Sequence, residues 1–203
     1  MPISREYQAV FVHIPRTGGT TIEKLLGIHR EWPEMDLEVF HGRFDQGDDY
    51  CQLQHLSYPE MEALADISHT HPYFKFSMVR NPWDRLVSEY FWQNLQDSLP
   101  FPSFVDRTYR IVTERERITG AYCHFRPQVE FVTDDLDWIL RFEEFPAELE
   151  RLCARLGIQL DRIPRFGATP HEAYPHYYDA NTEEMVAHIY QADIERFGYA
   201  FSV

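Results

Sequence analysis

Lysine is almost missing from this chain. Lys24 and Lys75 stand alone among 19 basic residues, against 33 acidic ones, and the formal net charge is −14. A field of that sign argues against nucleic acid and other large polyanions as partners. The remaining cations are arginines, whose planar fork suits bidentate contacts to phosphate or sulfate. Cysteine is scarce as well. Cys51, Cys123 and Cys153 are far apart and form no CxxC, which excludes a disulfide framework or zinc knuckle and points to reduced thiols. No apolar run approaches a membrane span, and Arg5-Glu6 is followed by too short an apolar stretch for a signal peptide. A soluble, cytoplasmic protein is expected. Repeats, low-complexity tracts and linkers are absent too. With 44% hydrophobic residues, residues 1–203 read as a single domain able to bury a sizeable core.

The stretch around which the chain is organised is Val10-Phe11-Val12-His13-Ile14-Pro15-Arg16-Thr17-Gly18-Gly19-Thr20-Thr21. Its apolar opening predicts a buried strand over 8–14, and the periodicity through Ile22, Leu25 and Leu26 predicts a helix over 20–28. Between them, Gly18-Gly19 lets an anion approach the main chain closely. Free amides at a helix start, the hydroxyls of Thr20 and Thr21 and the cation of Arg16 together make an anion cradle. It is not the nucleoside-triphosphate loop GxxxxGK[ST], because no lysine precedes Thr20 and the basic residue comes before the glycines.

Further along, residues 29–49 show no clean period and read as a surface segment. Residues 50–56 alternate and predict a second strand ending near His55; Ser57 then caps a short helix through Glu60, Met61 and Leu64. A third strand is predicted over 73–79, a long helix from the Asn81 cap with Pro82 at its first position, a helix over 103–118 and a last core strand over 138–142. Pro146 opens a helix that Gly157 ends, 158–180 reads as an ordered loop, and Asn181 with Glu184 as a capping box opens a final helix closed by Gly198. Strands alternating with helices imply an α/β fold of three α/β/α layers around a central parallel sheet. Ligands of such sheets sit at the carboxyl ends of the strands. Arg80 leaves the third strand at that edge, and Arg85, Ser88 and Trp92 follow at helical spacing, which offers a second phosphate site.

Together, Val12 to Thr21 and Arg80-Asn81-Pro82-Trp83-Asp84-Arg85-Leu86-Val87-Ser88-Glu89-Tyr90 resemble the two donor motifs of sulfotransferases that use 3′-phosphoadenosine 5′-phosphosulfate (PAPS). Arg126-Pro127-Gln128, Arg141-Phe142-Glu143 and the ending Ile194 to Tyr199 are similar to the branch that holds many carbohydrate sulfotransferases. The resemblance implies a P-loop-like fold and in-line transfer of a sulfuryl group from PAPS, leaving adenosine 3′,5′-bisphosphate (PAP), with no metal required. Arg16, Thr17, Gly18, Gly19, Thr20 and Thr21 would serve the 5′-phosphosulfate, and Arg80 and Ser88 the 3′-phosphate. The family's first loop usually carries lysine where this chain has Arg16, which keeps the charge and changes its reach. Golgi members carry a membrane anchor ahead of the domain; none is visible here, and a free-standing form is expected.

Catalysis of this kind also needs a base for the acceptor's proton, and histidine suits the task. His55 matches the place of the catalytic histidine in uronyl-type members, so His55 and Arg16 are the expected catalytic residues. His41 and Glu60 are weaker candidates for the base, and His13 reads as a packed core residue. His69 and His71 lack a third metal ligand. Arg126, Gln128 and Arg165 are possible contacts to the nucleotide, and Tyr174, Tyr177 and Tyr178 possible walls of an acceptor pocket. The acidic surface disfavours a highly sulfated glycan and favours a neutral sugar, lipid-linked glycan or small hydroxylated metabolite. The alternatives are a degenerate nucleotide-binding module, which the Arg16 departure supports, and a small-molecule P-loop kinase, which the missing GK[ST] opposes.

Overall fold

The computed structural model describes residues 2–30, 35–46, 49–114, 120–159 and 171–202. In chain order, β1 (Ile3–Ser4) and β2 (Ala9–Val12) lead through the glycine loop into α1 (Gly19–Leu25). Then come β3 (Arg43–Gln46), β4 (Asp49–Gln52), α2 (Tyr58–Leu64), β5 (Phe74–Val79), α3 (Pro82–Trp92) and α4 (Phe101–Glu114). β6 (Trp138–Arg141), α5 (Phe145–Leu156), α6 (Ala180–Ile189) and α7 (Gln191–Phe197) complete the described strands and α-helices.

The main sheet has the order β1-β2-β5-β6. Strands β2, β5 and β6 run parallel, with Val12 opposite Ser77 and Val79 opposite Arg141, while β1 adds an antiparallel edge. Side chains alternate across a strand, and both faces of this sheet are apolar. Ala9, Phe11, Phe76, Met78 and Leu140 pack with Ile22 and Leu26 from the α1 side and with Leu149 and Leu152 of α5. Val10, Val12 and Val79 pack instead with Tyr58 and Met61 of α2 and with Phe131. Coverage on both faces is what parallel strands require. A further apolar cluster joins α3, α4 and α6 through Leu86, Val87, Phe104, Val105, Val186 and Ile189. The fold is mixed α/β around a mostly parallel four-stranded sheet.

Local signals explain the element ends. Asn81 Oδ1 accepts the Trp83 amide at 3.1 Å and opens α3. Glu60 reaches back to the Ser57 amide and hydroxyl at 2.7 and 2.8 Å, opening α2. Gly157 and Gly198 end α5 and α7 at φ +71° and +66°.

Three expectations need correction. The alternating stretch 50–56 is not a strand of the main sheet: among the described residues β4 pairs only with β3, antiparallel, and Leu53–His55 is a 3-10 turn. The final capping box is formed by Asp179 and Thr182, not Asn181 and Glu184, and the helix it opens breaks at Tyr190 into α6 and α7. The helix over 103–118 begins two residues earlier, at Phe101, and is described to Glu114. Arg165 lies outside the described residues. Among the described residues no helix is long and apolar enough to cross a membrane.

Candidate functional site

Because β2, β5 and β6 are parallel neighbours, the segments that follow them meet at one edge of the sheet. They enclose a cavity of about 750 Å³. His13 to Thr21 supplies one wall, Arg80, Ser88 and Trp92 a second, and Phe142, Glu143, Phe145 and Pro146 a third. Gln52, Gln54, His55 and His124 close it from the far side. Of the residues expected at the donor and the base, all but Thr17 line this space. Thr17 is fully buried and its hydroxyl donates to the Ile14 carbonyl at 2.8 Å, so its side chain shapes the loop from within.

The loop is fitted tightly to its surroundings. Gly18 has φ +83°, and a Cβ there would stand 2.6 Å from the Phe145 ring. A Cβ on Gly19 would collide with the edge of the His13 ring, at its Cδ2 and Nε2. Gly19→Ala must therefore push His13 aside, and a destabilisation of about 1–3 kcal/mol is expected, measured as a lower urea midpoint. An unchanged midpoint would contradict this packing. Arg16 itself is left-handed, at φ +66°, a conformation that costs a non-glycine residue roughly 1–3 kcal/mol. The Arg80 guanidinium helps to hold it there by donating through Nη1 to the Arg16 carbonyl at 3.0 Å.

The side chains of Arg16 and Arg80 converge. Arg16 donates to Ser88 Oγ from Nε at 3.2 Å and from Nη2 at 3.0 Å, and its guanidinium lies 5.6 Å from the centre of the Trp92 ring. Burial pulls the Arg16 guanidinium down to about 10; Glu89 opposes the shift and Arg80 adds to it. Arg16 thus stays charged at neutral pH. Arg80 donates through Nε to Asp84 at 2.7 Å and lies 4.0 Å over the Phe142 ring. Its backbone is clamped by Gln128, which accepts from the Arg80 amide at 2.9 Å and donates to the Arg80 carbonyl at 2.8 Å. Gln128 is in turn held by Asp193.

A chain of histidines lines the same cavity. His55 Nδ1 donates to the His13 carbonyl at 2.8 Å. A carbonyl can only accept, so the neutral ring carries its proton on Nδ1 and its lone pair on Nε2. The His55 ring meets His13 edge-on at 4.5 Å and His124 at 5.1 Å. Burial, then the neighbouring His13 and His124, hold His55 well below the ordinary imidazole range, against the pull of the His13 carbonyl and of Glu23. Two buried carboxylates anchor the flanking rings: Glu23 Oε1 lies 2.6 Å from His13 Nδ1, and Glu89 Oε2 lies 2.9 Å from His124 Nδ1. Burial alone would raise both carboxyls, yet their histidine partners hold them below the usual carboxylate range.

Other expected residues have different work. Arg126 is bound to Glu60 at 3.2 Å and Glu130 at 3.0 Å, away from the cavity, which also removes Glu60 as a base. Arg85 donates to the His124 and Arg126 carbonyls and does not share the cavity with Ser88 and Trp92. Tyr174, Tyr177 and Tyr178 pack against the apolar cluster of α3, α4 and α6. His71 pairs with Glu62 at the surface. Glu89, His124 and the Gln128 clamp on Arg80 were not singled out from the sequence, since each acts through a partner remote in the chain.

No curated protein and no solved structure matches this chain. A family model described as "Sulfotransferase family" matches residues 1–200, nearly the whole length. That family transfers sulfuryl groups, a chemistry that needs a cationic cradle such as Arg16 and Arg80 line here. The chain belongs to the sulfotransferase family.

Proposed function

We propose that this chain transfers the sulfuryl group of PAPS to a hydroxyl or amine of a carbohydrate or small-molecule acceptor. The observation that carries the reading is one cavity lined by Arg16, Arg80 and Ser88 and by a neutral His55 whose Nε2 holds a lone pair. Its volume of about 750 Å³ is in the range of small-molecule sites. Gly18 and Gly19, where a Cβ would collide, suit the close approach of an anion to the backbone. The residues present therefore fit a doubly phosphorylated nucleotide. In this reading residues 1–203 act as one P-loop-like domain.

The donor, when bound, supplies an activated sulfuryl group on a phosphate leaving group. The chain's own residues position it and stabilise charge, by analogy with phosphoryl transfer. Arg16, with the backbone of Thr17, Gly18, Gly19, Thr20 and Thr21, would neutralise charge gained on the 5′-phosphate. Arg80 and Ser88 would hold the 3′-phosphate and fix the donor's register. Since Arg16 and Ser88 contact each other directly, donor binding must part them or bridge them. His55 Nε2 would take the acceptor's proton. The acidic surface supports a neutral acceptor, and the buried thiols of Cys123 and Cys153, which form no disulfide among the described residues, accord with a reducing cytoplasm.

Calorimetric titration with PAP, with adenosine 5′-monophosphate as control, tests the site. Binding that needs the 3′-phosphate is expected, and binding indifferent to it would refute the assignment. Tight PAP binding with no turnover on any acceptor would favour the degenerate module instead. The pH profile is a second test. A base must be neutral, and a lowered pKa keeps His55 neutral to lower pH. The acid limb of kcat/KM should therefore fall below 6.5, the ordinary imidazole value. An acid limb at or above that value would exclude His55.

A further inference from the structure

Glu23, His29 and His41 have no part in the reaction proposed above, yet all three line the same cavity. A carboxylate oxygen and one ring nitrogen from each histidine lie within 4.8 Å of one another. Glu23 Oε2 is 3.2 Å from His29 Nδ1 and 3.7 Å from His41 Nε2. Ligands held about 2.0–2.1 Å from a tetrahedral zinc ion stand about 3.3–3.4 Å apart, so only small side-chain adjustments separate this trio from a coordination set. The two rings already meet edge to face, with centres 5.4 Å apart.

His41 supplies an independent observation. Its side chain is 5% exposed, and its Nδ1 has no hydrogen-bond partner among the described residues. Its Nε2 stops 3.7 Å from Glu23, beyond hydrogen-bond length. Nε2 is the nitrogen turned to the carboxylate, and with no hydrogen bond at either ring nitrogen among the described residues this buried imidazole carries a penalty of roughly 1–3 kcal/mol that a partner at Nε2 would offset. The surroundings are preorganised for one. Glu23 Oε1 is occupied by His13 at 2.6 Å, which aims Oε2 at the two histidines. The His41 backbone is pinned to Asp36 by two hydrogen bonds of 2.9 Å.

We propose that Glu23, His29 and His41 bind one divalent first-row transition-metal ion. Two imidazoles and one carboxylate form a set that holds Zn²⁺ or Fe²⁺, with further positions left for water, and Zn²⁺ is the redox-inert probe of the pair. His29, whose side chain is 30% exposed, stands at the open side. This site does not depend on the sulfuryl-transfer reading, because neither Arg80 nor Ser88 takes part in it.

The test is titration of the chelator-treated chain with Zn²⁺ by calorimetry and with Co²⁺ by visible absorption. One equivalent of Zn²⁺ and the d–d bands of tetrahedral Co²⁺ are expected. His29→Ala and His41→Ala should each weaken binding by at least about tenfold, and His71→Ala, at the surface pair with Glu62, should not. Should His41→Ala fail to fold, the half-exposed His29→Ala decides. Absence of saturable binding near one equivalent, or wild-type affinity in His29→Ala, overturns the site. PAP titration of the same metal-free sample reports separately on the donor site.

Discussion

His55→Ala should lower kcat by about 10²–10⁴-fold while leaving PAP affinity close to that of the wild type, the range expected when a positioned general base is removed. The split follows from the geometry. His55 reaches the cavity from the turn after β4, and its one side-chain hydrogen bond among the described residues is from Nδ1 to the His13 carbonyl. The arginines of the donor site are held by other partners, Arg80 by Gln128 and Asp84, Arg16 by Ser88. Removing the imidazole should thus leave donor binding intact and remove the proton acceptor. Partial recovery of turnover by added imidazole would separate lost base chemistry from lost structure. Near-wild-type kcat in the variant, or no recovery with imidazole in a folded protein, would move the base elsewhere.

Arg80→Ala is expected to weaken PAP binding by roughly ten- to a hundredfold, as loss of a hydrogen bond to a charged group costs about 1.5–3 kcal/mol. Two side effects come with it. Asp84, 20% exposed at its side chain, loses its cation, and the Arg16 carbonyl loses the donor that supports its left-handed backbone. The second effect bears on any nucleotide with a 5′-phosphate. The informative quantity is therefore the ratio of PAP to adenosine 5′-monophosphate affinities. That ratio should fall sharply, because only PAP presents a 3′-phosphate. Equal losses for the two nucleotides would reduce Arg80 to a support for the loop. Arg80→Lys should lie between, with charge kept and the fork lost.

The elements written in local chemistry were legible in the sequence. The apolar runs of β2, β5 and β6, the Asn81-Pro82 start of α3 and the Gly157 stop of α5 each depend on neighbours within a few residues. The cavity edge followed from the parallel order of strands. What was not legible depends on distant partners. The Arg16–Ser88 contact spans 72 positions, and the Gln128 clamp on Arg80 spans 48. Alternation over 50–56 was real, yet it could not reveal that, among the described residues, β4 would pair with β3 alone. The capping-box pattern, with Glu or Gln at its fourth position, selects Asn181 with Glu184, whereas the box that forms has Thr182 in that place opposite Asp179. Nothing local in the sequence marks Glu23, whose side chain is 2% exposed and lies among three histidines.

The near-absence of lysine acquires a practical meaning in the folded chain. Lys75 is buried, 8% exposed, with its ammonium donating to the His71 carbonyl at 2.7 Å. Lys24 is exposed on α1, directly after Glu23 and on the helix that grows from the glycine loop. Once the more acidic α-amine is blocked, amine-reactive dyes should therefore modify one side chain of the native protein, and place their fluorophore on the element that carries both the anion loop and the carboxylate of the histidine cluster. A ligand that shifts that helix would be seen as a change in emission, without any engineered labelling site.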